Sequence, residues 1–215
     1  MKKIFVLSSV FVMCTAVMFA QKSSQNPDPH DCSKLPDYGK LKAELTKVVK
    51  EGKEANGGMG NQEWATVVNR DGIVCAVVFS GPNRAAEWPG SRIISAVKAN
   101  TANAFSTNNF ALSSGNIYSA AQPGQSLYSV VTPPNLQVAY GGNPQDFGQQ
   151  NDPMAGKAIG GVIVFGGGVP LYQNKGELVG ASGGSSFSLV AVVVSGSVAI
   201  PQVLSVPLTR RCEQR

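Results

Sequence analysis

The stretch "AIGGVIVFGGGVPLYQNKGELVGASGG", Ala158 to Gly184, holds nine glycines, three of them consecutive at Gly166, Gly167 and Gly168. Glycine at this density permits turns and close approach of backbones. Two chemistries use similar strings. A phosphate loop needs a strand, then Gly-x-x-x-x-Gly-Lys-Ser/Thr, then a helix whose first amides meet the phosphate. Here Val169-Pro170-Leu171-Tyr172 follow Gly168, with no lysine and no helical spacing. The dinucleotide form Gly-x-Gly-x-x-Gly fails as well, because Leu171 stands at its last position. Gly180-Ala181-Ser182-Gly183-Gly184 matches a serine nucleophile elbow in letters, but that chemistry needs a histidine after the serine. The chain has one histidine, His30, far upstream. What remains is a sheet reading. "GGVIVFGGG" reads as a buried strand, and "VPLYQNKGELVGASG" as strand, turn and strand, with the turn at Asn174-Lys175-Gly176.

Working outward, 215 residues with 43% hydrophobic and 14% charged composition make one globular domain with a core. The opening "MKKIFVLSSVFVMCTAVMFA" has the form of a secretory signal: Lys2 and Lys3, an apolar run, and a cleavage point after Ala20. An uncleaved anchor is the rival reading. No other segment reads as a membrane span; Val190 to Ile200 is apolar but too short. Losing Lys2 and Lys3 lowers the formal charge of +5 by two, too little to argue for nucleic acid. The lysines of 40–53 alternate with glutamates and read as a solvated helix face. Cys75, inside "IVCAVVF", reads as a buried core thiol. Cys32 and Cys212, near the two ends, form the expected disulfide in an oxidising compartment. No cysteine spacing matches a zinc site.

Residues 21–37 are polar and proline-broken and read as a linker. "YGKLKAELTKVVKEGK" places Leu41, Leu45, Val48 and Val49 on one helical stripe. Trp64–Val68 and Ile73–Phe79 flank Asn69-Arg70-Asp71-Gly72, a hairpin signal. A second helix follows through Ile93, Val97, Thr101 and Ala104, with Ser91 as its cap. Asn109 to Gly156 is loop-rich and long enough to suggest function. Asp146 and Asp152 within it read as turn residues. This order predicts an α+β domain, helices packed on an antiparallel sheet.

Five segments in order carry a resemblance: "WATVVNRDGIVCAVVFSG", "WPGSRIISAVKANTANAFS", "LSSGNIYSAAQPGQSLYSV", "DPMAGKAIGGVIVFGGGVPLY" and "GELVGASGG". The chain resembles the GlcG/HbpS-like (DUF336) family of haem-binding proteins, some described as haem-degrading, over Leu41 to Gly184. The resemblance implies profilin-like α/β/α layers around a five-stranded antiparallel sheet, in a single domain at 38–186. It also implies assembly into a homo-oligomer. Residues 187–215 depart from the family. Members continue with a serine-glycine turn and an acidic helix bearing, in the nearest relatives, an Asp-His pair. Ala181 to Leu208 here carries no charge, and its β-branched residues disfavour a helix. Native divergence and a reading-frame shift near Gly184 both account for that segment.

The resemblance implies a periplasmic or secreted protein that binds haem or a related tetrapyrrole, for sequestration or sensing. Haem needs an apolar slot, a cation for its propionates and, optionally, an axial ligand. Arg92 and Lys98, at family positions on the second helix, are the propionate candidates. Tyr118, Tyr128, Tyr140, Tyr172 and Met154 are the axial candidates. Gly166, Gly167, Gly168 and Pro170 are expected to shape the pocket wall. Two other functions stay open: oxidative haem breakdown, with the haem itself activating oxygen, and a non-catalytic small-ligand module or scaffold of the cell envelope.

Overall fold

The computed structural model describes residues 31–51, 61–173, 176–184 and 197–198. The expected signal segment, His30, Cys212 and nearly all of 187–215 lie outside the described residues, as do Asn174 and Lys175 of the expected turn.

Helix α1 (Tyr38–Glu51) leads into strands β1 (Trp64–Asn69) and β2 (Val74–Phe79). Helix α2 (Ser91–Phe105) follows, then a loop-rich stretch with the one-turn helix α3 (Leu136–Tyr140) and three short 3-10 turns. Strands β3 (Gly168–Gln173) and β4 (Glu177–Gly184) and the two-residue β5 (Ser197–Val198) complete an antiparallel sheet in the order β2-β1-β4-β3-β5. The expected five strands are thus four substantial strands and a two-residue fifth.

The β1–β2 hairpin forms where the sequence places it. Asn69 Oδ1 accepts the amides of Asp71 and Ile73, and Gly72 takes a φ of 76°, which favours glycine. Side chains of β1 leave alternately for the two faces. Trp64 and Val68 join Val77, Phe79 and the alanines 96, 99 and 102 of α2 in one core; Ala65 and Val67 join Ala76, Val78, Leu41 and Leu45 in the other. Both faces of β1 are therefore covered, α1 packing on one side of the sheet and α2 on the other, which is the expected α/β/α layering.

Four local expectations change. Gly90, not Ser91, stands at the α2 cap position, and no side chain caps that end. Ala104 is exposed, and the buried stripe of α2 runs through its other alanines instead. "GGVIVFGGG" is not a strand: Gly160, Gly161 and Gly167 take positive φ, and between them only Val162 makes a bridge, to Thr132. Its backbone is held by α2, with the Asn100 amide donating to Gly161 O and the Ile163 amide to Thr101 Oγ1. Finally, Cys32 pairs with Cys75, at a Cα–Cα distance of 5.7 Å, and not with Cys212. A bulge explains Cys75. Val67 faces Ala76 and Val68 faces Val74, so Cys75 is the extra residue, turned out of the two-residue alternation.

Candidate functional site

The glycine-rich stretch works as a corner clamped onto α2. A Cβ on Gly168 would stand 2.2 Å from Lys98 O, and one on Gly183 would stand 2.0 Å from Ser95 O. Glycine at both positions lets the ends of β3 and β4 lie directly on the helix backbone. Ser114, fully buried, is the staple: it accepts the Gly168 amide at 2.9 Å and donates to Phe165 O. A Cβ on Gly115 would meet Gly166 Cα at 3.2 Å, so two glycines also let the Ser114 turn lie against the corner. The Gly184 amide donates to Gly167 O at 2.9 Å.

Lys98 sits beneath this corner, 2% exposed, with Nζ donating to Gly184 O at 3.0 Å. Burial lowers its pKa to about 8, and the buried Glu63 carboxylate opposes that shift. Lys98 is thus a cation at the corner but not a surface one. Around it, two large side chains face solvent: Tyr118, 54% exposed, follows the Ser114 turn, and Phe165, 48% exposed, immediately precedes Gly166. Of the corner itself, Gly166 is partly exposed, whereas Gly167 and Gly168 are buried against α2 and the Ser114 turn. Two segments that meet at Ser114, Gly115 and Gly166 thus each carry an exposed aromatic ring, and the Lys98 ammonium is buried on the α2 side.

The remaining sequence candidates lie elsewhere. Arg92 is 1% exposed, and its guanidinium is engaged inside the protein. Nε and Nη2 donate to the two carboxylate oxygens of Asp152, Nη1 donates to Ala139 O at 2.9 Å, and the group stacks 3.8 Å from the Phe147 ring centroid. It ties α2 to the loop-rich stretch and gives a propionate no access. Asp152 is correspondingly no simple turn residue: it also accepts the amides of Gly148 and Met154. Tyr172 is buried, its hydroxyl donating to Thr107 O at 2.9 Å, and Met154 is a fully buried core residue. Neither reaches a ligand at the surface. Pro170 is buried in β3 opposite Ala181. Tyr128 and Tyr140 are exposed; the Leu127 amide donates to Ala120 O, so the Tyr128 segment lies against the turn that follows Tyr118. Phe165, Ser114 and Glu63 escaped the sequence reading. The apolar run "VIVF" ending at a glycine triplet was the available signal for Phe165.

The structure also closes the serine-elbow alternative that the letters raised. Ser182 is 1% exposed in mid-sheet, paired with Val67 on β1 and Val169 on β3, whereas an elbow serine stands exposed on a sharp turn. Among the described residues, no group of three His, Cys, Asp or Glu side chains could hold a metal ion, and no helix is long and apolar enough to cross a membrane.

A family model described as "Haem degrading protein HbpS-like" matches residues 43–196. The chain belongs to the HbpS-like family. The match runs twelve residues beyond Gly184, so the family extends into the segment that the sequence reading set apart. Several solved structures are similar. One is the Klebsiella pneumoniae protein ORFY of family DUF336, 24% identical, covering 70% of this chain and 77% of that one with a TM-score of 0.42. Another is a PduOC–haem complex, 20% identical, covering 70% and 81% with a TM-score of 0.40. No curated protein matches the chain.

Proposed function

We propose that this HbpS-like protein binds haem or a closely related tetrapyrrole at the glycine corner. Membership of a family described as haem-degrading carries the reading, and the residues at the corner fit the group. Tyr118 and Phe165 supply exposed aromatic faces for a flat macrocycle. Gly166, partly exposed and without a side chain, lets a ring approach the backbone next to Phe165. The Tyr118 phenol is an oxygen donor of a kind that holds haem iron. Lys98 biases the corner toward carboxylates through the protein, from below the surface. Bound haem would supply the redox chemistry; the chain's own residues bind it, orient it and limit water around it.

Adding haemin to the purified protein tests the reading. One Soret-shifted haem per chain supports it, and an unchanged free-haemin spectrum ends it. The family description favours one second reading, oxidative haem breakdown. Loss of the Soret band with reductant and oxygen, and its persistence under reductant without oxygen, would distinguish breakdown from plain binding.

The proposal extends to an exported, self-associating protein. The Cys32–Cys75 disulfide supports export, because such bonds persist in oxidising compartments. The exposed Val131, Leu136 and Tyr140 support self-association. Cell fractionation and light scattering of the purified chain test these two points; cytosolic retention or a monomer at micromolar concentration would remove them.

A further inference from the structure

Residues 31–36, expected as part of a linker, form a strap across the end of the sheet face that α1 covers. Cys32 is bonded to Cys75 on the edge strand β2. Two residues on, Lys34 reaches Glu177 at the start of β4, Nζ to Oε1 at 2.7 Å, in an exposed ion pair. Leu35 is buried and packs in one cluster with Val67, Leu171 and Val179. Gly180 makes room for it: a Cβ there would stand 3.2 Å from Leu35 Cδ1. The strap then ends at Asp37, whose Oδ1 accepts the Lys40 amide and whose carbonyl accepts the Leu41 amide, so α1 is capped independently of the strap.

Two buried side chains, Leu35 and Pro36, one solvent-exposed ion pair, which is weak by nature, and one covalent bond hold the strap. Both half-cystines are partly exposed. Accessible disulfides are the ones that dithiols reduce readily. We infer that Cys32–Cys75 is a redox-addressed latch, and that its reduction releases the strap and uncovers the apolar surface of Leu171 and Val179 while α1, α2 and the sheet stay folded. The reductant is a dithiol, free or on a thioredoxin-type protein. Its thiolate attacks one cystine sulfur, forming a mixed disulfide and expelling the other cysteine as thiolate. Its second thiol then displaces the bound cysteine. Two electrons and two protons pass to Cys32 and Cys75, and the dithiol leaves as a disulfide. The inference does not rest on haem binding.

Hydrogen–deuterium exchange of the full chain, with and without dithiothreitol, tests it. The expected result is at least tenfold faster exchange in the peptide covering 31–37, with α2 and the paired strand β4 unchanged. A Cys32→Ser/Cys75→Ser variant should show the same pattern without reductant, and both forms should bind more of an apolar fluorescent dye than the oxidised protein does. Four results would overturn the latch. They are a disulfide that resists millimolar dithiol in the native state, a strap that stays protected after reduction, loss of α2 protection along with it, and a double variant that fails to fold.

Discussion

Asp152→Ala is the sharpest test of the reading that removes Arg92 from the ligand site. In the native protein the Asp152 carboxylate accepts four bonds, from Arg92 Nε and Nη2 and from the amides of Gly148 and Met154. The side chains of the ion pair are 2% and 1% exposed, so water cannot replace what the variant removes. Removing one partner of a buried pair costs about 3–5 kcal/mol, because the other charge is left buried without its counterion. For a chain of this size each kcal/mol moves Tm by roughly 2–4 °C, so the variant should melt about 6–20 °C lower. Arg92→Met should cost somewhat less, since Asp152 keeps its two amide donors. The two substitutions combined as Arg92→Met/Asp152→Ala should cost less than their sum by about 1–3 kcal/mol, the signature of direct coupling. Urea denaturation of the three variants supplies these numbers. A loss below about 1 kcal/mol in Asp152→Ala, or strict additivity in the double variant, would refute the argument and return Arg92 to the list of surface cations.

Gly183→Ala drives a methyl into Ser95 O and the Ala99 amide, both backbone atoms that cannot move alone; it should cost about 3 kcal/mol or prevent folding. Gly90→Ala meets nothing within 4 Å and should stay within about 1 kcal/mol of wild type by the same denaturation measurement. Lys98 gives a pH signature. Its folded pKa is about 8 against an ordinary 10.5, so between those values the unfolded chain binds more protons and stability rises with pH. The contribution is bounded at about 3 kcal/mol. Wild type should therefore gain stability between pH 7.5 and pH 10 relative to Lys98→Met, measured by paired urea titrations; equal slopes in the two proteins would contradict it.

The sequence showed the fold where chemistry is local. Asn69-Arg70-Asp71-Gly72 announces its hairpin because asparagine and glycine satisfy that turn within four residues. The apolar period of α1 likewise depends only on its own spacing. What escaped was set by contacts distant in sequence. "GGVIVF" has the composition of a strand, yet α2 takes its backbone bonds at Gly161 and Ile163, sixty residues away by way of Asn100 and Thr101. Cys75 lies in a strand-like run, and only the bulge opposite Val67 and Val68 turns it toward Cys32. The same limit applies to the site. Arg92 and Lys98 look equivalent on one helix, six residues apart, but Asp152 claims the first and the backbone of Gly184 holds the second. The glycine corner was recognisable as a corner; that Tyr118 and Phe165 stand exposed beside it required the fold.

The central claim is that a tetrapyrrole docks at that corner. The direct measurement is a haemin titration, followed at the Soret band, of wild type beside Tyr118→Ala/Phe165→Ala. Both side chains are exposed, so the double variant should fold as wild type does. The account predicts saturation at one haem per chain in wild type and at least tenfold weaker binding in the variant. Equal affinity in the two proteins, or no Soret shift in wild type, would contradict it.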